Sequence, residues 1–329
     1  MKVSLVTGGA GFIGSHVAKK LIESGHRVVV LDDLSGGFVE NIPEKAEFIQ
    51  GSITDHELIK QIFSKNRFDY VFHLAAYAAE GLSHFIKRFN YTNNLIGSVN
   101  LINESIINKV KCFVFTSSIA VYGKGQLPMH EELIPQPEDP YGIAKLAVEQ
   151  ELKVSHEMFG MDYIIFRPHN VYGEHQNIGD RYRNVVGIFI NQVMQNKPLT
   201  IFGDGSQTRA FSYIDDVAPH IANSVDNKKA YNKIFNIGAE DEFSVNKLAQ
   251  TVLNLMGSKA EINYLPARNE VLHAYSDHTR AKEYFGINSA VSLEDGLKKM
   301  IDWAKKHGAR KTPSFENIEI IENLPEIWK

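Results

Sequence analysis

Tyr141 and Lys145 stand four residues apart in the segment PYGIAK, so a helix through them puts both side chains on one face. A phenol is a poor base at its ordinary pKa of about 10. A neighbouring ammonium stabilises the phenolate, and so does a second positive charge brought by a cofactor. A phenolate poised in this way takes the proton of a sugar hydroxyl while hydride leaves the same carbon. Ser118, in FTSSIAVYG, follows an apolar strand-like run and can bridge that hydroxyl and Tyr141. Tyr–Lys pairs at this spacing are common in helices. Ser118 upstream, together with a glycine-rich segment near the N-terminus, makes this pair read as catalytic.

That segment is GGAGFIG, with Gly8, Gly11 and Gly14 between an apolar strand (Lys2 to Thr7) and a helix (Phe12 to Glu23) that Gly25 stops. A second strand, His26 to Leu31, ends in Asp32, 18 positions after Gly14. Glycines let the backbone turn tightly and approach a pyrophosphate. The start of the helix, at Phe12 and Ile13, offers free N–H groups and a partial positive charge. Asp32, with Asp33 beside it, accepts hydrogen bonds from ribose hydroxyls and repels a 2′-phosphate, which predicts NAD as the cofactor.

The whole chain must hold these two sets of residues together. Its 329 residues fit one large or two modest domains, with 43% hydrophobic and 22% charged residues, as in a globular protein. A net charge of −4 leaves no electrostatic footprint for nucleic acid. Cys112 is the only cysteine, so a disulfide framework and a cysteine metal site are excluded. No apolar run approaches the roughly 18 residues of a membrane span, and the first strand starts at residue 2, so a cytoplasmic protein without a metal is expected.

Further strands are expected at Glu47 to Ile49, Asp69 to Leu74, Cys112 to Thr116 and Tyr163 to Arg167. Between them fall helices from Asp55 to Asn66, Asn90 to Asn108 and Tyr141 to Phe159, the last started by Asp139 and Pro140. This alternation predicts an α/β fold of Rossmann type, a doubly wound parallel sheet whose ligands collect at the C-terminal strand ends. Leu74, Ala75 and Ala76 sit at such an end and join the expected cofactor contacts. After His169 the alternation becomes irregular. We therefore divide the chain into an NAD-binding domain (1–168) and a smaller, mainly substrate-binding α/β domain (169–329), with the chain free to cross between them.

Several segments resemble the extended short-chain dehydrogenase/reductase family, specifically its nucleotide-sugar epimerases and dehydratases, with the pattern nearest to UDP-glucose 4-epimerase-like proteins. They are GGAGFIG, LDDLSGG, HLAA, NNLIGSVNLI, FTSSIAVYG, PYGIAK, FRPHNVYG, FGDGSQTRAFSYIDDV and DWAKKH, in the family's order across nearly the whole chain. The resemblance implies that Asn94 lies near the nicotinamide, that Asn170 touches the substrate diphosphate and that Arg209 pairs with it. It also implies that Arg268 and Glu270 hold phosphate and ribose, and that the segment from Lys197 to Gly203 lines the base. Ser52, beside Ile53, stands where the family often has an aspartate touching adenine. Tyr77 and Glu80 are expected at the sugar, Glu80 as a hydrogen-bond partner or an additional acid or base.

One departure separates reactions. Family dehydratases resemble one another in an Asp–Glu pair just after the serine or threonine of the triad, and decarboxylases of UDP-glucuronate keep a glutamate there. This chain has Ile119 and Ala120, which move no proton. Enzymes that epimerise two carbons of GDP-mannose carry a cysteine where Ala120 stands. The expected activity is therefore inversion at C4 of a UDP-hexose, of UDP-glucose/galactose or UDP-uronate type, through a transient 4-keto sugar. Alternatives on the same scaffold are a GDP-mannose 3,5-epimerase-like enzyme, a 2-epimerase and a 4,6-dehydratase. A non-catalytic NAD-binding sensor is the reading from another class. The resemblance further implies a homodimer built on the helices Asn90 to Asn108 and Tyr141 to Phe159. The tail from Arg310 lies outside the family core and is expected to pack as a surface strap through Leu324 and Trp328, or to contact a partner.

Overall fold

The structure is a computed structural model and describes residues 1–267, 271–288, 290–311 and 314–328. Its first part contains β1 (Val3–Thr7), α1 (Phe12–Glu23), β2 (Arg27–Asp32), β3 (Glu47–Gln50), α2 (His56–Lys65) and β4 (Tyr70–His73). Two short helices, α3 (Glu80–Ser83) and α4 (Lys87–Tyr91), lead through a π-helical turn (Thr92–Ile96) into α5 (Gly97–Ile107). Then come β5 (Cys112–Thr116), α6 (Pro140–Phe159) and β6 (Asp162–Pro168). The second part holds β7 (Val171–Tyr172), α7 (Val185–Met194), β8 (Leu199–Phe202), β9 (Thr208–Ala210), β10 (Ser212–Tyr213), α8 (Ala218–Asn223) and β11 (Lys233–Ile237). It ends with β12 (Glu242–Ser244), α9 (Val245–Met256), β13 (Ile262–Leu265), β14 (His273–Ala274), α10 (Thr279–Phe285) and α11 (Leu293–His307).

Seven strands pair in parallel in the order β11-β6-β5-β4-β1-β2-β3, so the direction of winding reverses between β1 and β4. Residue alternation explains the two layers of helices. Leu5, Val29, Leu31 and Phe113 face one side and pack on α2, α5 and α6 through Ile62, Leu101 and Val148. Val6, Val28, Val30 and Val114 face the other side and pack on α1 and α8 through Val17, Leu21 and Ile221. A strand covered on both faces must be apolar throughout, as these are.

Local chemistry sets the helix ends near the cleft. Asp139 accepts the Gly142 N–H at 2.9 Å, Pro140 occupies the first turn of α6, and Gly160 closes the helix at φ 74°. Asp55 caps α2 by accepting the Leu58 N–H at 3.0 Å. The expected helix from Asn90 begins earlier, at Lys87, and its π turn adds a residue that apolar spacing alone does not reveal.

The chain crosses the division at residue 168 once within the sheet. β11, from residues 233–237, completes it alongside β6, and α8 packs on α1. The rest of the second part forms small sheets, β10-β7, β12-β9-β14 and β13-β8, with α7, α9 and α11 packed together. Among the described residues, no helix is long and apolar enough to cross a membrane.

Candidate active site

The C-terminal ends of the strands open into a cleft of about 1280 Å³. At one end it is lined by Gly8, Gly11, Phe12, Ile13, Gly14, Asp32 and Asp33, then by Ile53 and Leu74, Ala75 and Ala76. The glycines are sterically required. Gly8 has φ 72°, and a Cβ on Gly14 would come within 2.0 Å of the Gly8 carbonyl oxygen. Gly11, the N-cap of α1, has no side chain to cap the first turn, which leaves its N–H groups facing the cleft. Asp32 accepts the Ala10 N–H at 3.0 Å on one oxygen and the Leu34 N–H at 2.8 Å on the other. Each oxygen keeps a further lone pair for a ribose hydroxyl. This cradle fits the diphosphate and adenosine ribose of NAD.

Asp32→Asn keeps the shape and removes the charge. NADP binding is expected to strengthen relative to NAD by about tenfold or more, because a 2′-phosphate is no longer repelled. Calorimetric titration of both nucleotides checks this, and an unchanged ratio would remove Asp32 as the discriminating residue.

Two expected contacts, Ser52 and Asn94, are not among the residues that line the cleft. Ser52 is half-buried, bonding the Thr54 hydroxyl at 2.9 Å and accepting the Thr54 N–H. Asn94, 1% exposed, accepts the Tyr77 N–H at 2.8 Å and donates to the Tyr77 carbonyl and to Asn90. Its amide holds the Tyr77 backbone and so aims the loop after β4. A buried chain from Thr7 through His73 to Ser98 fixes the end of that strand, at 2.7 and 2.8 Å. Burial pushes the His73 imidazole down to about 3, so the ring is neutral.

The expected catalytic residues meet at the middle of the cleft. Ser118 follows β5, and Tyr141 and Lys145 occupy successive turns of α6. Ser118 accepts the Ala120 N–H at 3.1 Å and lies near enough to the Tyr141 phenol to favour its ionised form. The Lys145 ammonium donates to the Thr116 carbonyl at 2.8 Å and lies 5.7 Å from the Tyr141 ring centroid. Sequence reasoning has the ammonium lowering the phenol. In the protein without ligands desolvation is larger and sets the sign: burial raises the Tyr141 phenol above its ordinary value, while Ser118 opposes it. Burial likewise lowers Lys145 to about 7, against the pull of Glu149.

Glu149 was not singled out, although it falls one turn beyond Lys145 on the same helix. It is fully buried and accepts the Ser117 hydroxyl at 2.6 Å and a bidentate pair from Arg167, at 2.9 and 2.5 Å. Arg167, on β6, stacks over the Tyr122 ring at 4.7 Å. The pair ties α6, β5 and β6 together directly behind the catalytic residues.

The far half of the cleft is lined by Tyr77, Glu80, Asn170, Phe202 and Arg209. Glu80 begins α3 and is exposed to the cleft. Asn170 adopts φ 41°, a left-handed conformation that asparagine tolerates. Arg209 is anchored by the carbonyls of Thr208, Val271 and Leu272. Arg183, unexpected from the sequence, pairs with Asp180 at 2.6 Å and lies over the Tyr77 ring. Arg268 and Glu270 lie outside the described residues. Among the described residues, no group of His, Cys, Asp and Glu is placed to hold a metal.

Fold and site together define an extended short-chain dehydrogenase/reductase: a glycine cradle with Asp32 at one end of the cleft and a Ser–Tyr–Lys set at its centre. The chain belongs to the NAD-dependent epimerase/dehydratase family, whose model matches residues 4–238. It is similar to UDP-glucose 4-epimerase of Mycolicibacterium smegmatis, 32% identical over 91% of this chain and 97% of that one. A crystal structure of UDP-glucose 4-epimerase from Thermotoga maritima with UDP-glucose shares 40% identity and a TM-score of 0.88, covering 93% of this chain and 99% of that one. UDP-glucuronic acid 4-epimerase from Bacillus cereus, in complex with UDP-glucuronic acid and NAD, shares 31% identity and a TM-score of 0.84. It is covered over its full length by 93% of this chain.

Proposed function

We propose that this chain is an NAD-dependent nucleotide-sugar epimerase that inverts C4 of a UDP-hexose. The observation that carries the reading is the buried Ser118–Tyr141–Lys145 set at the junction of the two halves of the cleft. The cleft exceeds the roughly 300–1,000 Å³ of a single-ligand pocket, which suits a dinucleotide and a nucleotide sugar lying side by side. The names of the relatives, 4-epimerases of UDP-glucose and UDP-glucuronic acid, support the same reading.

Gly8, Gly11, Gly14 and Asp32 would hold NAD, which when bound accepts hydride from C4 and returns it to the transient 4-keto sugar. Tyr141 takes the proton of the C4 hydroxyl and gives it back at the end of the cycle. Ser118 bridges the phenol and the sugar oxygen and keeps both in line. Lys145, fixed to the Thr116 carbonyl, supplies positive charge beneath the phenol when protonated. Arg209 offers a guanidinium to the diphosphate, with Asn170 beside it. Ile119 and Ala120, next to the serine, hold no proton to expel water from C6. Residues 1–168 form most of the NAD half and 169–329 most of the substrate half, with the chain crossing back at β11.

Incubation in D2O with UDP-glucose, UDP-galactose or UDP-glucuronate and no added cofactor tests the reading by proton NMR. A C4 epimer without deuterium on carbon is expected. Deuterium at C3 or C5 would replace this route with enolisation and make Glu80 the acid or base to examine.

A homodimer forms part of the same proposal. α5, the adjoining π turn and α6 expose Ile96, Ile107, Val154, Met158 and Phe159, each more than half exposed. Large apolar residues clustered on neighbouring helices need cover. Sedimentation velocity at micromolar concentration is expected to show twice the chain mass, and Met158→Lys to shift it toward monomer. A monomeric wild type sinks the dimer.

A further inference from the structure

The tail past α11 packs as a strap through the two residues expected of it, and its course runs along the cleft. Leu324 and Trp328 are buried, and Ile320, Glu322, Glu326 and Trp328 line the cleft itself. Four sets of contacts hold it there. The Phe315 N–H donates to the Tyr182 hydroxyl at 3.0 Å, and the Phe315 ring packs on Phe89 and Tyr77 with centroids 4.9 and 5.5 Å away. Glu319 and Ile320 donate their N–H groups to the Phe85 carbonyl. The Glu319 carboxylate accepts the N–H groups of Arg88 and Phe89, each at 2.9 Å, fastening the start of α4. Trp328 packs edge-on against Tyr182, Phe85 and Phe202, with centroids 5.5, 6.3 and 6.4 Å away.

These partners come from the segment after β4, from residues 181–182 and from β8, which face one another across the substrate half. The tail joins them, and its contacts named above are all with this half of the cleft. It adds Glu322 and Glu326 to Glu80 in the lining of this half, which Arg183 and Arg209 share.

We propose that residues 314–328 are a substrate-selecting wall. They raise affinity for the nucleotide sugar and, through Glu322 and Glu326, favour a neutral hexose over a uronate. The proposal rests on the nucleotide-sugar reading above and goes beyond it by assigning selectivity to the tail. Physically, the aromatic contacts fix the wall before substrate arrives, so little ordering is needed on binding. A glycosyl carboxylate brought against carboxylates in a part-enclosed cleft is repelled, since like charges there are poorly screened.

The test compares the full chain with one ending at Lys311, and with the double variant Glu322→Gln/Glu326→Gln, which alters two exposed side chains and leaves the packing in place. For the shortened chain, KM for UDP-galactose is expected to rise about tenfold, with bound NAD per chain unchanged. For the double variant, kcat/KM for UDP-glucuronate relative to UDP-glucose is expected to rise several-fold. The wall is overturned if the shortened chain keeps its KM within twofold, and its selectivity is overturned if the double variant leaves that ratio unchanged. A full-length chain that prefers UDP-glucuronate also overturns the selectivity. If the full chain converts no UDP sugar, the function reading fails, and titration with UDP judges the wall alone. Weaker UDP binding by the shortened chain supports it, and equal binding overturns it.

Discussion

Tyr141→Phe lowers kcat by about a thousandfold, the scale of a lost general acid or base. The phenylalanine fills the same space in a site where Tyr141 is only 7% exposed, so the melting temperature and bound NAD are expected to stay close to those of the wild type. The hydroxyl that is lost faces Ser118 and is the group proposed to accept the C4 proton. KM should change little, because the nucleotide part of the substrate is held elsewhere. A variant that retains turnover within tenfold of wild type would move the proton transfer to another group and sink the assignment.

The second large effect is on stability. Arg167→Met removes the bidentate partner of the Glu149 carboxylate in a site with no exposure, leaving it the Ser117 hydroxyl and the weaker attraction of Lys145. An uncompensated buried charge costs about 3–5 kcal/mol, a large part of the 5–15 kcal/mol that holds a typical domain together. Adding Glu149→Leu to that variant removes the stranded charge and is expected to restore most of the loss. Urea unfolding of the wild type, the single variant and the double variant gives the answer. A single variant within about 1 kcal/mol of wild type would mean that the pair is not what fastens α6 to β5 and β6.

What could be read from the amino-acid order was local. GGAGFIG, Asp32 and the Tyr141/Lys145 pair each act through neighbours in sequence, and each lines the cleft. Asp139 and Asp55 cap their helices because a cap needs only a side chain and an N–H two or three residues on. Pairings across the fold were out of reach. Arg167 meets Glu149 only because β6 lies beside β5, and Asn94 meets Tyr77 only because the π turn rotates it toward the loop after β4. Resemblance assigned Asn94 and Ser52 to the cofactor by position, and their hydrogen bonds, to Tyr77 and Asn90 and to Thr54, add a structural role that position does not reveal. The tail carries apolar residues in no regular period, so its destination in the cleft could not be drawn from spacing.

The crossing at β11 has a consequence for the making of the protein. β6 leaves the ribosome well before β11, the strand that covers its open edge. At about 5–20 residues per second, several seconds pass with that edge bare and its N–H and C=O groups unpaired. A nascent chain stalled in this interval offers a ready template for another copy. Slowing translation between residues 170 and 230 should therefore lower the yield of folded enzyme more than slowing it after residue 240.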